Sequence, residues 1–293
     1  EMREHGFHTM VTPFDENSVD VIVSQNVDII KVASCSFGDW PLLERVVQTD
    51  KPIIASTAGA SIAVIEQVIS FFSNRNKEFS ILHCVGEYPT PDENMHISQI
   101  DFLKKRFPGV RIGFSTHEDT SNTDFIKMAI AKGATIFEKH VAVPTVKYSV
   151  NQYSATPSQI DAWLKSALYA KKVCGEGLTR LPINPQEATS LQSLRRGAYA
   201  KHDLKKGETL SLDDVFFAFP PQKGQFTAND WSKYTEYELT SDVSINSPIS
   251  PDNCLQEKEQ EKIWEIVRNA RKLLNKSKAI IPTNTELVIS HHY

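Results

Sequence analysis

The feature that most constrains this chain is a strict alternation of short apolar runs with helix-patterned segments. The runs are FHTMVT (7–12), DIIKVAS (28–34), PIIAST (52–57), FSILHCV (79–85), VRIGFS (110–115) and ATIFEKH (134–140). Intervening segments such as SIAVIEQVISFF, ISQIDFLKKRF and TDFIKMAIAKG carry apolar residues at three- and four-residue steps, which is typical of helices. Alternating strands and helices predict a parallel sheet covered by helices.

A closed barrel of this kind needs eight strands, and the chain supplies six apolar runs. We therefore expect residues 1–178 to be part of a (β/α)8 TIM barrel of the α/β class, with two further strands preceding Glu1. The last helix of this domain is predicted from its signals: Thr156 as N-cap, Pro157 at the first helical position, Gln159 completing a capping box, and Gly175 at the end.

The alternation stops near Leu178, and a different organisation follows. We interpret residues 179–192 as a linker and residues 193–254 as a small β-rich module with a KKGE turn. The segment 257–276 has the pattern of an amphipathic helix. Residues 255–293 are expected to hold this helix and the start of a further, cupin-like β-domain, whose first strand is ELVISHHY. We recognise no internal repeat.

Composition excludes several classes of protein. The formal net charge of −4 gives no general attraction to nucleic acid or to an anionic membrane. The four cysteines have no paired spacing that would indicate a zinc site or a disulfide framework, which fits a reducing cytoplasm. No apolar run reaches the length of a membrane span, so we expect a cytoplasmic protein without membrane or nucleic-acid partners.

Polar residues collect where the predicted strands end. Since parallel strands bring their carboxyl ends to one rim, these residues should meet there. They are Thr12, Lys31, Ser34, Ser56, Thr57, His83, Tyr88, Ser115, His117, Glu138, Lys139 and His140. Lysines and hydroxyls suit a phosphate or carboxylate, and histidines on neighbouring strands suit one divalent metal. A lone histidine is more often a hydrogen-bonded core residue, the interpretation we give His83. The pattern alone predicts a barrel enzyme for an anionic substrate, with metal dependence left open.

The same residues closely resemble the sialic acid synthase (N-acetylneuraminate synthase) family. The motifs that carry the resemblance run in order from about Gly6 to Pro251: VTPFDENSVD, KVAS, KPIIAST, LHC with YPTP, GFSTH, GATIFEKH, and RR followed by DLKKGETLSLDD. The last motif resembles the antifreeze-like SAF domain of that family. Each motif is weakly specific by itself, and their order and spacing make the resemblance strong.

The resemblance implies condensation of phosphoenolpyruvate with an amino-sugar aldehyde, such as N-acetylmannosamine, to give a 2-keto sugar acid and phosphate. It implies Mn²⁺, or another divalent cation such as Mg²⁺ or Co²⁺, and a domain-swapped homodimer. By position, Lys31, Lys139, Tyr88 and Glu138 would be catalytic. The substrates would be bound by Thr12, Ser34, Ser56, Ser115 and Asn151, and the metal by His117 and His140.

Several positions depart from the family pattern. Ser36, Thr116 and either Asn151 or Val150 stand where the family has carboxylates. Gly86 stands where asparagine is common, and Phe219 where an arginine reaches the partner subunit. Most of these changes fall on the sugar side, which indicates a different acceptor aldehyde or lost activity. The alternatives are therefore a catalytically silent sugar- or phosphate-binding module of a multidomain surface-glycan protein, and a phosphoenolpyruvate aldolase-type barrel that makes a shorter keto acid.

Overall fold

A parallel six-stranded sheet with helices between its strands dominates the first of two units. The computed structural model describes residues 1–175, 180–232 and 235–276. The chain divides into the units Glu1–Leu178 and Thr179–Tyr293. The strands of the first unit are β1 (Met10–Val11), β2 (Ile29–Val32), β3 (Ile53–Ser56), β4 (Phe79–Cys84), β5 (Arg111–Thr116) and β6 (Phe137–Lys139). All six predicted strands are present.

Helices follow the strands as the apolar periodicity predicts. They are α1 (Glu16–Ser24), α2 (Trp40–Val47), α3 (Ile62–Asn74), α4 (Ser98–Arg106), α5 (Asp124–Ala131) and α6 (Pro157–Cys174). Polar side chains at the preceding residue start several of them: Asp15 accepts a hydrogen bond from Ser18 N at 2.6 Å, and Ser61 from Val64 N at 3.4 Å. At α6, Gln159 Oε1 accepts from Thr156 N at 2.9 Å, as the capping box predicts.

The sheet has its strands in chain order, β1-β2-β3-β4-β5-β6, with every neighbouring pair parallel. It is strongly curled. In a flat sheet β2 and β6 would lie about 19 Å apart, since strands are about 4.8 Å from their neighbours. Lys31 Nζ of β2 nevertheless lies 3.5 Å from Glu138 Oε2 of β6. These strands form a half-barrel, and the closed eight-stranded barrel stays a prediction.

The core of this unit lies between the sheet and its helices. Ile30, Ile53, Ile81 and Ile112 from four successive strands are all at most 2% exposed. Gly113 in β5 is required by close approach, because a Cβ there would lie 2.3 Å from Ile136 O. Packing of the strands therefore fixes where their carboxyl ends lie, and with them the rim residues.

The second unit is small and β-rich, as expected. It contains α7 (Pro185–Ser193), β7 (Gly197–Ala200), β8 (Val215–Ala218), β9 (Thr235–Leu239), β10 (Cys254–Lys258) and α8 (Glu259–Lys276), with β7 pairing β8 and β9 pairing β10 antiparallel. Helix α7 lies inside the segment that we interpreted as linker. The start of α7 has two sequence signals. Asn184 Oδ1 accepts a hydrogen bond from Gln186 N at 2.8 Å, and Pro185 is the first helical residue.

This unit contains an internal repeat, so the sequence interpretation was wrong on that point. Leu204 and Val243 exchange both backbone hydrogen bonds, at 2.8 and 3.0 Å. The same symmetry relates two further hydrogen bonds: Asp203 accepts from Ile245 N, and Asp242 accepts from Lys206 N. It also relates two turn residues with positive φ, Gly207 at +84° and Asn246 at +63°. The repeated segments, DLKKGETLSLDDV and DVSINSPISPDNC, share too few identities to reveal the repeat by inspection.

Helix α8 agrees with the helix predicted near residues 257–276. The predicted strand ELVISHHY and the cupin-like domain that it would begin lie outside the described residues. No helix among the residues that the structure describes combines the length and apolarity needed to cross a bilayer.

Candidate functional site

Lys31 is the buried centre of a polar cluster at the rim. Its side chain is 6% exposed, and Nζ donates to Ser56 Oγ at 2.8 Å and to Val32 O at 3.0 Å. Ser56 Oγ in turn donates to Glu138 Oε2 at 3.4 Å, and the same carboxylate oxygen pairs with Lys31. The structure thus brings together Lys31, Ser56 and Glu138 from three strands.

Two more predicted residues border this cluster through Cys84. Ser34 and Ser115 both hydrogen-bond the Cys84 thiol, and these contacts oppose a pKa that burial raises. Burial also lowers the pKa of Lys31, while Glu138 opposes that shift. A buried ammonium ion with hydroxyls around it is a suitable site for an anion. The negative charge of a bound anion would stabilise the Lys31 ammonium, which has little access to water.

The two predicted metal-binding histidines lie side by side. The rings of His117 and His140 have centroids 5.2 Å apart. They continue the two strands that carry Ser115 and Glu138, each two residues further along, so side-chain alternation puts them toward the same side of the sheet as the anion cluster.

The separation fits one shared cation. Two imidazoles whose nitrogens lie about 2.1 Å from a metal have ring centres about 4.6–5.3 Å apart for the angles of ordinary coordination. His117 Nδ1 lies 3.0 Å from Val85 O, which leaves Nε2 as the ligand atom, and burial lowers the pKa of this ring. In the described part of the chain no group of three or more His, Cys, Asp or Glu residues fits a metal, and His117 with His140 is a pair of candidate ligands.

Tyr153 joins this site, and the sequence did not point to it. Its ring centroid lies 5.3 Å from His140 and 5.3 Å from Tyr88, and Tyr88 is 4.2 Å from His117. The contact arises because Val141 bridges Ala155, and Ala155 N donates to His140 O at 2.8 Å. Two tyrosines therefore flank the two histidines. No motif marked Tyr153, since an irregular loop separates it from β6 in sequence.

Other predicted residues lie elsewhere. Lys139 forms a buried ion pair with Glu118, with Nζ 3.0 Å from Oε1, whereas Glu138 pairs with Lys31. Thr12 is half-buried after β1 and Asn151 is exposed. Within the described residues neither side chain hydrogen-bonds another predicted site residue. Three positions that depart from the family pattern differ in exposure. Ser36 is buried, Gly86 is exposed, and Phe219 is 63% exposed.

His83 has the environment of a core histidine. It is 6% exposed, and Nε2 lies 2.9 Å from Met95 O. Burial lowers its pKa, which favours the neutral ring. This residue needs no functional role.

Comparisons with known proteins identify the family of the chain. The profile of the NeuB family matches residues 1–179, and that of the SAF domain matches residues 195–253. A solved structure of a candidate spore coat polysaccharide biosynthesis protein E from Chromobacterium violaceum is 48% identical, with a TM-score of 0.85 over 87% of this chain and 75% of that one.

Two further relatives are more distant. An uncharacterised protein of Methanocaldococcus jannaschii is 31% identical over 75% of this chain and 66% of its own length. An N-acetylneuraminic acid (sialic acid) synthetase structure from Leptospira borgpetersenii is 29% identical, with a TM-score of 0.57 over 62% of each chain. The chain thus spans about two thirds of the length of these relatives. The family match covers more than half of the chain, and the protein belongs to the NeuB family and carries a SAF domain.

Proposed function

We propose that the whole protein condenses phosphoenolpyruvate with a sugar aldehyde to form a sialic-acid-like 2-keto sugar acid, with release of phosphate. The observation that carries this proposal is the buried Lys31 ammonium bonded to the Ser56 hydroxyl, next to a histidine pair spaced for one cation. Ser34 and Ser115 border the neighbouring Cys84. Family membership supports the same reaction type, and one of the relatives above is named a sialic acid synthetase.

The anion cluster suits phosphoenolpyruvate. Lys31 would neutralise part of the charge of the carboxylate and phosphate, and Ser34, Ser56 and Ser115 would donate hydrogen bonds to their oxygens. Binding there would also orient the methylene carbon of the substrate relative to the histidine pair. Because the Lys31 side chain is only 6% exposed, its interaction with an anion is weakly screened by water.

His117 and His140 would hold a divalent cation such as Mn²⁺. Such a cation, when bound, supplies Lewis acidity to an aldehyde oxygen. His117 is prepared for this role by its contact with Val85 O, which fixes the tautomer, and by a lowered pKa that keeps the ring neutral.

The chemistry balances with the substrates and water. The methylene carbon of phosphoenolpyruvate forms a bond to the aldehyde carbon, whose oxygen takes a proton, and water adds to C2. Phosphate then leaves with the bridging oxygen, which breaks a C–O bond. Tyr88 and Tyr153 would contact the acceptor sugar beside the histidines. The acceptor itself is expected to differ from N-acetylmannosamine, since Gly86 and Asn151 depart from the family pattern.

The proposal extends to the assembly. In the whole protein we expect the sheet to close as an eight-stranded barrel, and two subunits to form a domain-swapped homodimer through their SAF domains. Sedimentation of the whole protein as a dimer, and its loss on deletion of residues 195–253, would support this part.

Incubation of the whole protein with phosphoenolpyruvate, Mn²⁺ and a panel of amino-sugar aldehydes tests the reaction. We expect phosphate release with at least one acceptor and little without any. Phosphoenolpyruvate labelled with ¹⁸O at the bridging position should give labelled phosphate. Binding of phosphoenolpyruvate without turnover for any acceptor would instead favour the silent binding module.

A matched pair of variants makes this test specific. Lys31→Met should lower kcat/KM for phosphoenolpyruvate about 10²- to 10³-fold by weakening the stabilisation of the bound anion. His83→Gln, which alters a buried histidine outside the cluster, should keep most of the activity if the fold is retained. Equal activity of Lys31→Met and the unaltered protein would overturn the assignment of the anion site.

A further inference from the structure

A second Lys–Glu pair lies buried behind the rim, and no role has been assigned to its acid. We call Glu118 and Lys139 the sealed pair. Their side chains are 0% and 3% exposed, and Lys139 Nζ lies 3.0 Å from Glu118 Oε1. Among the described residues neither atom has a hydrogen-bonding partner outside this pair. The other carboxylate oxygen, Oε2, accepts a hydrogen bond from Thr116 Oγ1.

The sealed pair adjoins both histidines along the chain. Glu118 directly follows His117, and Lys139 directly precedes His140. The last register pair of β5 and β6 is Thr116 with Lys139, so both histidines lie just past the end of the ladder.

Beyond the ladder the two segments turn to different partners. His117 O accepts from Thr90 N at 2.9 Å, whereas His140 O accepts from Ala155 N at 2.8 Å. Backbone hydrogen bonds therefore hold each histidine to a different part of the chain. The ion pair is the side-chain link between the two segments where they separate.

We propose that the sealed pair is a brace that sets the distance and orientation of His117 relative to His140, with Glu118 as a positioning residue of the metal site. The inference rests on the proposed function, because it presumes that the two imidazoles share a cation. Buried ions that lack other partners have few alternative positions, which makes the pair a stiff connection. This role also accounts for Lys139 without requiring it to bind an anion, since Glu118 already occupies its ammonium group.

Titration of the whole protein with Co²⁺ alone, followed by visible absorption, tests the brace. Glu118→Gln keeps the shape of the side chain and removes its charge, and we expect it to weaken Co²⁺ binding about 10- to 100-fold and to shift the absorption bands. The matched control is Glu93→Gln, which neutralises an exposed carboxylate outside the sealed pair and should change affinity less than about threefold. A double His117→Ala, His140→Ala variant gives the background from other histidines.

A second variant guards against misfolding of the first. Glu118→Met with Lys139→Met removes both charges, so no unpaired ion stays in the interior and the protein should fold. It should still bind Co²⁺ at least tenfold more weakly than the unaltered protein. Unchanged affinity and spectrum in this folded double variant would overturn the brace and leave the metal site standing. Failure of the unaltered protein to bind Co²⁺ above the background variant would overturn the metal site and the brace together.

Discussion

Two lysine–glutamate pairs use adjacent residues of β6, Glu138 and Lys139, and they are built differently. In the rim pair, Lys31 and Glu138, the acid is 31% exposed and Ser56 hydrogen-bonds both partners. In the sealed pair, Glu118 and Lys139, both side chains are at most 3% exposed. The rim pair is open to a ligand that could replace or join the carboxylate. The sealed pair has no such access, so we propose that the same two residue types serve ligand binding in one place and bracing of the fold in the other.

Stability should separate the pairs most sharply. Lys139→Met leaves Glu118 charged and buried without its partner, and we expect a loss of about 3–5 kcal/mol in the free energy of unfolding. Lys31→Met should lose no more than about 1 kcal/mol, because burial already disfavours the charged lysine, as its lowered pKa shows, and Glu138 reaches solvent. Urea unfolding of the two variants measures the difference.

Exchanging the partners is the control for this prediction. The charge-swapped protein with Glu118→Lys and Lys139→Glu should recover part of the stability that Lys139→Met loses. If Lys31→Met proved as destabilising as Lys139→Met, the distinction between an open and a sealed pair would be untenable.

Phosphoenolpyruvate-dependent activity should respond in the opposite order, with Lys31→Met more damaging than Lys139→Met. Lys31→Met is expected to lower kcat/KM for phosphoenolpyruvate about 10²- to 10³-fold, the cost of removing one preorganised donor to a developing or bound anion. Lys139→Met, assayed at a temperature where it is folded, should raise the metal concentration needed for half-activity and leave the phosphoenolpyruvate KM nearly unchanged. A large rise of that KM in Lys139→Met would return Lys139 to the anion site that the resemblance implied.

The sequence predicted much of the rim and could not predict the sealed pair. Strand ends are readable from apolar runs, which is why Lys31, Ser56 and the histidines were correctly expected to lie on one rim. In the run EKH, however, adjacent residues of a strand point to opposite sides of the sheet. Either Glu138 or Lys139 could therefore face Lys31, and the sequence does not say which. Only the contact of Glu138 with Lys31 across the curl decides that Lys139 points away from it.

The structure was also needed to interpret the missing carboxylate at position 116. The carboxylate of Glu118 lies at the hydroxyl of Thr116, so a negative charge two residues later occupies that neighbourhood. The position of Tyr153 was not predicted for a similar reason, since it depends on a bridge between Val141 and Ala155. Contacts of this kind are set by tertiary packing and leave no periodic signal.

The open side of the site gives a smaller, acceptor-specific effect. Tyr153→Ala should lower kcat/KM for the sugar about 10- to 100-fold, since a ring that packs on both His140 and Tyr88 is lost. Tyr153→Phe keeps the ring and should retain most of the activity. The KM for phosphoenolpyruvate should stay within about twofold in both variants, because Tyr153 lies with the histidines and has no contact with Lys31. Equal loss for both substrates would place Tyr153 in general support of the fold.

Alkaline pH offers the mildest test, because it removes the Lys31 charge without a mutation. Burial lowers the Lys31 pKa from the ordinary lysine value of about 10.4, with Glu138, Cys84 and Cys35 as the titratable groups that oppose the shift. The ammonium therefore loses its proton at a lower pH than an unperturbed lysine, and the phosphoenolpyruvate KM should rise with pH, at most about tenfold per unit above that pKa. Phosphate monoesters are fully ionised well below this range, so the substrate charge stays constant. Lys31→Arg retains its charge at high pH and should flatten the rise, whereas an unchanged profile in that variant would assign the titration to another group.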